Sequence, residues 1–115
     1  SFLAKRIDCD QSTPGGSPEA PEFSYEVLEV SYDFLIETCI RSYQKPFLPK
    51  YADSESWEPI SISGTDRAWQ FHGGDGARPY YLAQKGNRLV YIHFYWQAQQ
   101  DQLEKAMNIL FAQTL

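Results

Sequence analysis

A chain of 115 residues with 43% hydrophobic and 16% aromatic content is a single globular domain with enough apolar mass for a core, not a disordered segment. Its 15 acidic residues outweigh 10 basic ones, for a formal net charge of −5, which argues against phosphate-driven binding to nucleic acid. No apolar run approaches the roughly 20 residues of a membrane span, and a start at Ser1, with neither Met nor signal peptide, reads as a piece of something longer.

Residues 2–9 read as an opening strand, with Leu3, Ile7 and Cys9 on one face and Lys5 against the pattern. Residues 10–22, DQSTPGGSPEAPE, are rich in proline and glycine and can continue neither strand nor helix. They form a loop or linker within the domain. A proline-ligand reading lacks its PxxP core flanked by arginine.

From Phe23 the pattern alternates, with Phe23, Tyr25 and Val27 against Ser24, Glu26 and Leu28, as in a half-exposed strand. Ser31 then reads as an N-cap, with Asp33 in the first turn where the helix dipole favours an acid. Tyr32, Leu35, Ile36, Cys39, Ile40 and Tyr43 follow at helical spacing, so the chain predicts an amphipathic helix over 32–43. Lys45-Pro46 ends it.

Residues 47–58 read as irregular, with Trp57 tucked into the core from a loop. A short strand is expected over 59–63, then a turn at Gly64-Thr65-Asp66. Residues 67–72 form a strand with Trp69 and Phe71 on one face and Ala68, Gln70 and His72 on the other. A glycine-rich turn, 72–76, leads on to a hairpin.

The hairpin occupies 80–84 and 89–96, both rich in aromatic and β-branched residues. Lys85-Gly86-Asn87-Arg88 joins them, through either a two-residue type I′ turn or a three-residue turn with a bulge. Val90, Ile92, Phe94 and Trp96 share one face and Leu89, Tyr91, His93 and Tyr95 the other. A closing helix over about 99–113 carries Leu103, Ala106, Met107, Leu110 and Phe111 as its stripe, with Glu104 and Lys105 toward water. It is expected to cover the Val90, Ile92, Phe94 face. The fold class is therefore α+β: an antiparallel sheet of about four to six strands with an early helix and a C-terminal helix packed on it.

Ser63-Gly64-Thr65-Asp66-Arg67-Ala68-Trp69 is a small-residue turn between strands, and Tyr80-Tyr81-Leu82-Ala83-Gln84-Lys85-Gly86-Asn87-Arg88-Leu89-Val90-Tyr91-Ile92 is a long hairpin before a closing helix. In this order of elements residues 31–115 resemble the PsbP-like group of domains, which are small α+β sandwiches. The group has no shared catalytic motif to carry over. The resemblance implies an accessory or binding role, often outside the cytoplasm and sometimes on a lipid anchor. The irregular stretch 47–58 and the strongly aromatic hairpin depart from the group.

Catalytic and metal chemistry find little support. The soft or borderline metal ligands are His72, His93, Cys9 and Cys39, and none stands in a CxxC or HxxxH arrangement. Cys9 and Cys39 allow one disulfide or two buried thiols. A nucleophilic pair of Cys39 with His93 or His72 is disfavoured, because Cys39 lies on an apolar stripe and reactive thiols need an electropositive, accessible setting. No GxSxG elbow is present. His72-Gly73-Gly74-Asp75-Gly76 lacks the GK[ST] ending and the following helix of a phosphate loop. Asp53, Glu55 and Glu58 lack the glycine bend and terminal bidentate acid of a calcium loop.

Tyr80, Tyr91, His93 and Tyr95 are the candidate ligand-binding residues, phenols and an imidazole on one sheet face, which Tyr80 joins if the turn has two residues, suited to a peptide, a sugar or a protein. The early helix competes for this face, and covering is the preferred reading, since its apolar stripe must be buried somewhere. The expected function is a non-catalytic binding or accessory domain of a bacterial protein, extracytoplasmic or at the cell surface, with a protein or small-molecule partner and no cofactor. Two alternatives are a small-ligand domain with an aromatic pocket between sheet and early helix, and a hydrolase-type enzyme with a histidine base.

Overall fold

The computed structural model describes residues 4–11, 23–44, 56–72, 80–94 and 98–114, with 4–11, 56 and 72 described by backbone alone. Six strands run in order along the chain: β1 (Ala4–Gln11), β2 (Phe23–Val30), β3 (Ser56–Ile60), β4 (Arg67–His72), β5 (Tyr80–Lys85) and β6 (Arg88–Phe94). A 3-10 turn (Asp33–Leu35) and helix α1 (Ile36–Tyr43) separate β2 from β3, and helix α2 (Gln100–Phe111) follows β6. The fold is α+β, with both helices packed on one antiparallel sheet.

The spatial order of the strands is β1-β2-β6-β5-β4-β3, and every pairing is antiparallel. β1 and β2 form a hairpin at one edge. The chain then passes along α1 to the far edge, where β3, β4, β5 and β6 return as a meander that docks β6 on β2. This crossing places α1 over one face, and α2 returns over the other. Pro59 sits on the edge strand β3, where a missing N–H costs no central ladder bond.

Strand alternation sorts the core into two clusters. On the α2 face, Val27, Ala68, Tyr81, Ala83, Val90, Ile92 and Phe94 meet Leu103, Met107, Leu110 and Phe111. On the α1 face, Val30, Leu82 and Leu89 meet Ile36 and Ile40, with Leu28, Cys39, Tyr43, Trp57, Trp69 and Tyr91 partly buried around them. The closing helix thus covers the face that its stripe and that of β6 predict. Its start is capped by Gln99, whose backbone N–H donates to Gln102 Oε1 at 2.9 Å in a capping box.

Several local expectations need correction. The strand expected over 59–63 is Ser56–Ile60, so Trp57 belongs to an edge strand and not to a loop. The early helix opens with a 3-10 turn whose cap position is Tyr32, not Ser31. The hairpin turn has two residues, with Lys85 paired to Arg88, but only Gly86 has positive φ (59°). That is the type II′ requirement, not type I′. Asn87 stays at negative φ while its side chain donates to Val30 O at 3.0 Å and its carbonyl accepts from Val30 N at 2.9 Å. The Pro/Gly-rich segment 12–22, the acidic stretch to Glu55 and the glycine-rich turn 73–76 lie outside the described residues.

Candidate functional site

The register builds rows of side chains across the α1 face. One row runs Ser24, His93, Tyr80, Phe71, Trp57 from β2 to β3. The next runs Glu26, Tyr91, Leu82, Trp69, Pro59. Directly opposed residues of antiparallel strands have Cβ atoms roughly 5 Å apart, so large rings in one row must touch.

They do touch. The His93 and Tyr80 rings stack with centroids 4.0 Å apart, and Tyr80 stacks on Tyr91 at 5.5 Å. Phe71 meets Tyr80 edge-on at 5.9 Å, and Trp57 leans on Phe71 at 5.2 Å and on Tyr91 at 6.3 Å. From above, Tyr43 of α1 stacks on Tyr91 at 5.2 Å. Each such pair is worth about 0.5–1.5 kcal/mol beyond its buried area. Three of the four candidate residues, Tyr80, Tyr91 and His93, are therefore brought together, while Tyr95 lies outside the described residues.

α1 divides this face. Its eight residues reach about 12 Å, against roughly 24 Å across six strands. Ile36 and Ile40 bury Leu82 and Leu89 at one end. At the other end Tyr80, Tyr91 and His93 remain half-buried, and Tyr43 is the last helical residue over them. The three rings stack directly on one another, so no ligand fits between their faces. A ligand would instead rest on their outer edges.

The electrostatics of the stack favour the neutral phenol at Tyr91. Tyr43 Oη donates to Glu26, which stands beside Tyr91 in the ladder. Burial, then Tyr80 and then Glu26 push the Tyr91 phenol well above its ordinary value of 10.0. On the α2 face burial also raises Tyr81. Cys39 is a free thiol, half-buried in the α1 cluster, and burial raises its pKa, the opposite of what a nucleophile needs.

His72 closes β4, as its backbone shows. Among the described residues no three of His, Cys, Asp and Glu converge as metal ligands, and no helix is long and apolar enough to cross a membrane. Trp57 was missed as a member of the site. Its signal was present, because Trp57, Phe71 and Tyr80 align once β3 to β5 are read as one meander. Its indole Nε1 is buried without a hydrogen bond among the described residues. Comparisons with protein-family models, with curated proteins and with solved structures found no match to this chain.

Proposed function

We propose that this chain is a non-catalytic binding or accessory domain whose contact surface is the aromatic end of the α1 face. The observation that carries this reading is the half-buried stack of His93, Tyr80, Tyr91 and Tyr43, built from two strands and a helix. Rings locked against one another lose little entropy on binding and present flat apolar area with polar edges, which suits a peptide or a sugar. The hairpin that carries the resemblance to PsbP-like domains is the same β5–β6 hairpin that carries three of these rings. That resemblance supports a working place outside the cytoplasm of a bacterial cell, at its surface or on a lipid-anchored protein.

The test is a titration of isotope-labelled protein with short peptides, oligosaccharides and small aromatic compounds, reading ring signals of Tyr80, Tyr91 and His93. The expected result is a saturable ligand that moves the Tyr80 and His93 signals and binds about tenfold more weakly to His93→Ala or Tyr80→Ala. Saturable binding that maps elsewhere and ignores both substitutions would overturn the proposal.

A further inference from the structure

The opposite end of the α1 face holds a second, separate surface. There the 3-10 turn meets the β5–β6 turn around a depression of about 350 Å³ lined by Asp33, Ile36, Gln84, Gly86 and Asn87. That volume lies near the lower end for ligand sites and fits one large side chain rather than a cofactor. Tyr80 and Gly86 are separated by the length of β5, about 20 Å, so this surface does not overlap the aromatic stack.

Three features define what would fit. First, Phe34 is 77% exposed and Tyr32 49% exposed, and their rings lie 5.7 Å apart on either side of Asp33 in sequence. Solvated aromatic pairs of this kind are uncommon on a plain surface and enriched where proteins meet. Second, the Asp33 carboxylate makes no ion pair or hydrogen bond among the described residues. The neighbouring cation cannot serve it: Arg67 is held by Glu37 at 2.5 Å and by Gln84 at 2.7 Å. Third, the rim is hydrogen-bonded. Asp66 Oδ2 accepts from Gly86 N at 2.8 Å, and Gln84 Nε2 donates to Gly86 O at 2.9 Å.

The Asp33 carboxylate lines the depression and is flanked in sequence by two exposed rings, with a second carboxylate on the Gly86 rim, which calls for a cation that can also stack. A guanidinium does both, because its planar fork donates to carboxylates and lies on ring faces. The positive end of α1 opposes a cation here, but about half a charge is smaller than the full charge of Asp33. The net charge of −5 adds a long-range attraction of the same sign. We infer that the depression between the 3-10 turn and the β5–β6 turn is a docking site for a protein segment presenting an arginine, bound by Asp33 and stacked on Tyr32 and Phe34.

The test uses the whole chain, isotope-labelled, titrated to the order of 10 mM with three capped tripeptides, Gly-Arg-Gly, Gly-Lys-Gly and Gly-Gln-Gly. The arginine peptide is expected to give saturable shifts at the amides of Asp33, Gly86 and Asn87, and the glutamine peptide none. Asp33→Asn should weaken the arginine peptide at least tenfold and Phe34→Ala severalfold, with the rest of each spectrum unchanged. Equal shifts with the glutamine peptide, no loss in Asp33→Asn, or no saturable shift at all would overturn the inference. Equal binding of the lysine peptide would overturn the guanidinium assignment, and preferential binding of acetate would overturn the cationic one. Asp33 and Phe34 take no part in the aromatic stack, so failure here leaves the proposed function standing.

Discussion

α2 is hydrogen-bonded along its whole length to the β3–β4 connection and to β6, whereas the side-chain ties of α1 to its own face, among the described residues, are made by Glu37 and Tyr43. Along α2, Gln100 reaches Ser61 O at 3.1 Å, Glu104 accepts from Ser63 N at 2.6 Å, and Asn108 donates to Ser63 O at 3.1 Å. At its C-terminus Arg88 donates to the carbonyls of Phe111 and Gln113 while paired with Glu29, which satisfies helix-end acceptors and opposes the dipole favourably. Beneath lies a mostly apolar cluster, with the phenols of Tyr81 and the partly buried Tyr25. Along α1, ties among the described residues join Arg67 with Glu37 and Tyr43 with Glu26; the cluster beneath includes phenols and indoles, and the His93 imidazole stacks on Tyr80 at its side. A face closed by apolar packing and a run of hydrogen bonds supplies stability. A face closed by a short helix over amphipathic rings leaves chemistry within reach of a partner.

The largest test of this contrast lies at the centre of α2. Met107 is fully buried, and Met107→Ala should cost about 2–5 kcal/mol in chemical denaturation. Cys39→Ala, at the half-buried centre of α1, should cost under about 1.5 kcal/mol. Equal losses would break the contrast.

Gly64 comes next. It stands at the third position of the turn from Ile62 to Thr65 with φ of 87°, and an added Cβ would collide with the side-chain oxygen of Asn108. Gly64→Ala should therefore cost about 1–3 kcal/mol and loosen the tie of α2 to Ser63, visible as faster amide exchange in α2.

High pH probes both faces. Tyr81 and Tyr91 have phenols raised by burial above 10.0, so the folded state holds protons that the unfolded chain releases. Stability should be level below about pH 10 and fall above it, by up to about 1.4 kcal/mol per pH unit for each phenol. Tyr91→Phe should remove part of that slope in denaturation curves measured across the alkaline range. An unchanged slope would show that Tyr91 is not held neutral by its neighbours. The smallest effect belongs to the exposed Arg67–Glu37 pair, where Arg67→Ala should change stability by less than about 1 kcal/mol.

The sheet faces were legible because alternation in β6 is local. Val90, Ile92 and Phe94 are apolar without exception, and the stripe of α2 matches them. The boundaries of β2 and β4 follow from the same alternation. Pairing of β6 with β2 was not legible, since nothing local distinguishes the partner of an inner strand. β3 was misplaced because Pro59 reads as the first residue of a strand, and only the edge position, a property of the whole sheet, lets it sit inside one. Trp57 was lost with it. The turn type was missed because Asn87 tolerates positive φ but is drawn instead into bonds with Val30. The depression at Asp33 joins residues from two turns far apart in the chain, and no sequence pattern announces it.

The central claim is that Tyr80, Tyr91 and His93 on the α1 face can be reached from outside while Tyr81 and Phe94 on the α2 face cannot. Solvent paramagnetic relaxation of the ring protons measures this residue by residue in the free protein. Stronger relaxation at Tyr80 and His93 than at Tyr81 and Phe94 is the predicted result. Equal protection of all four rings would mean that both faces are sealed, and the aromatic stack would then be core rather than contact surface.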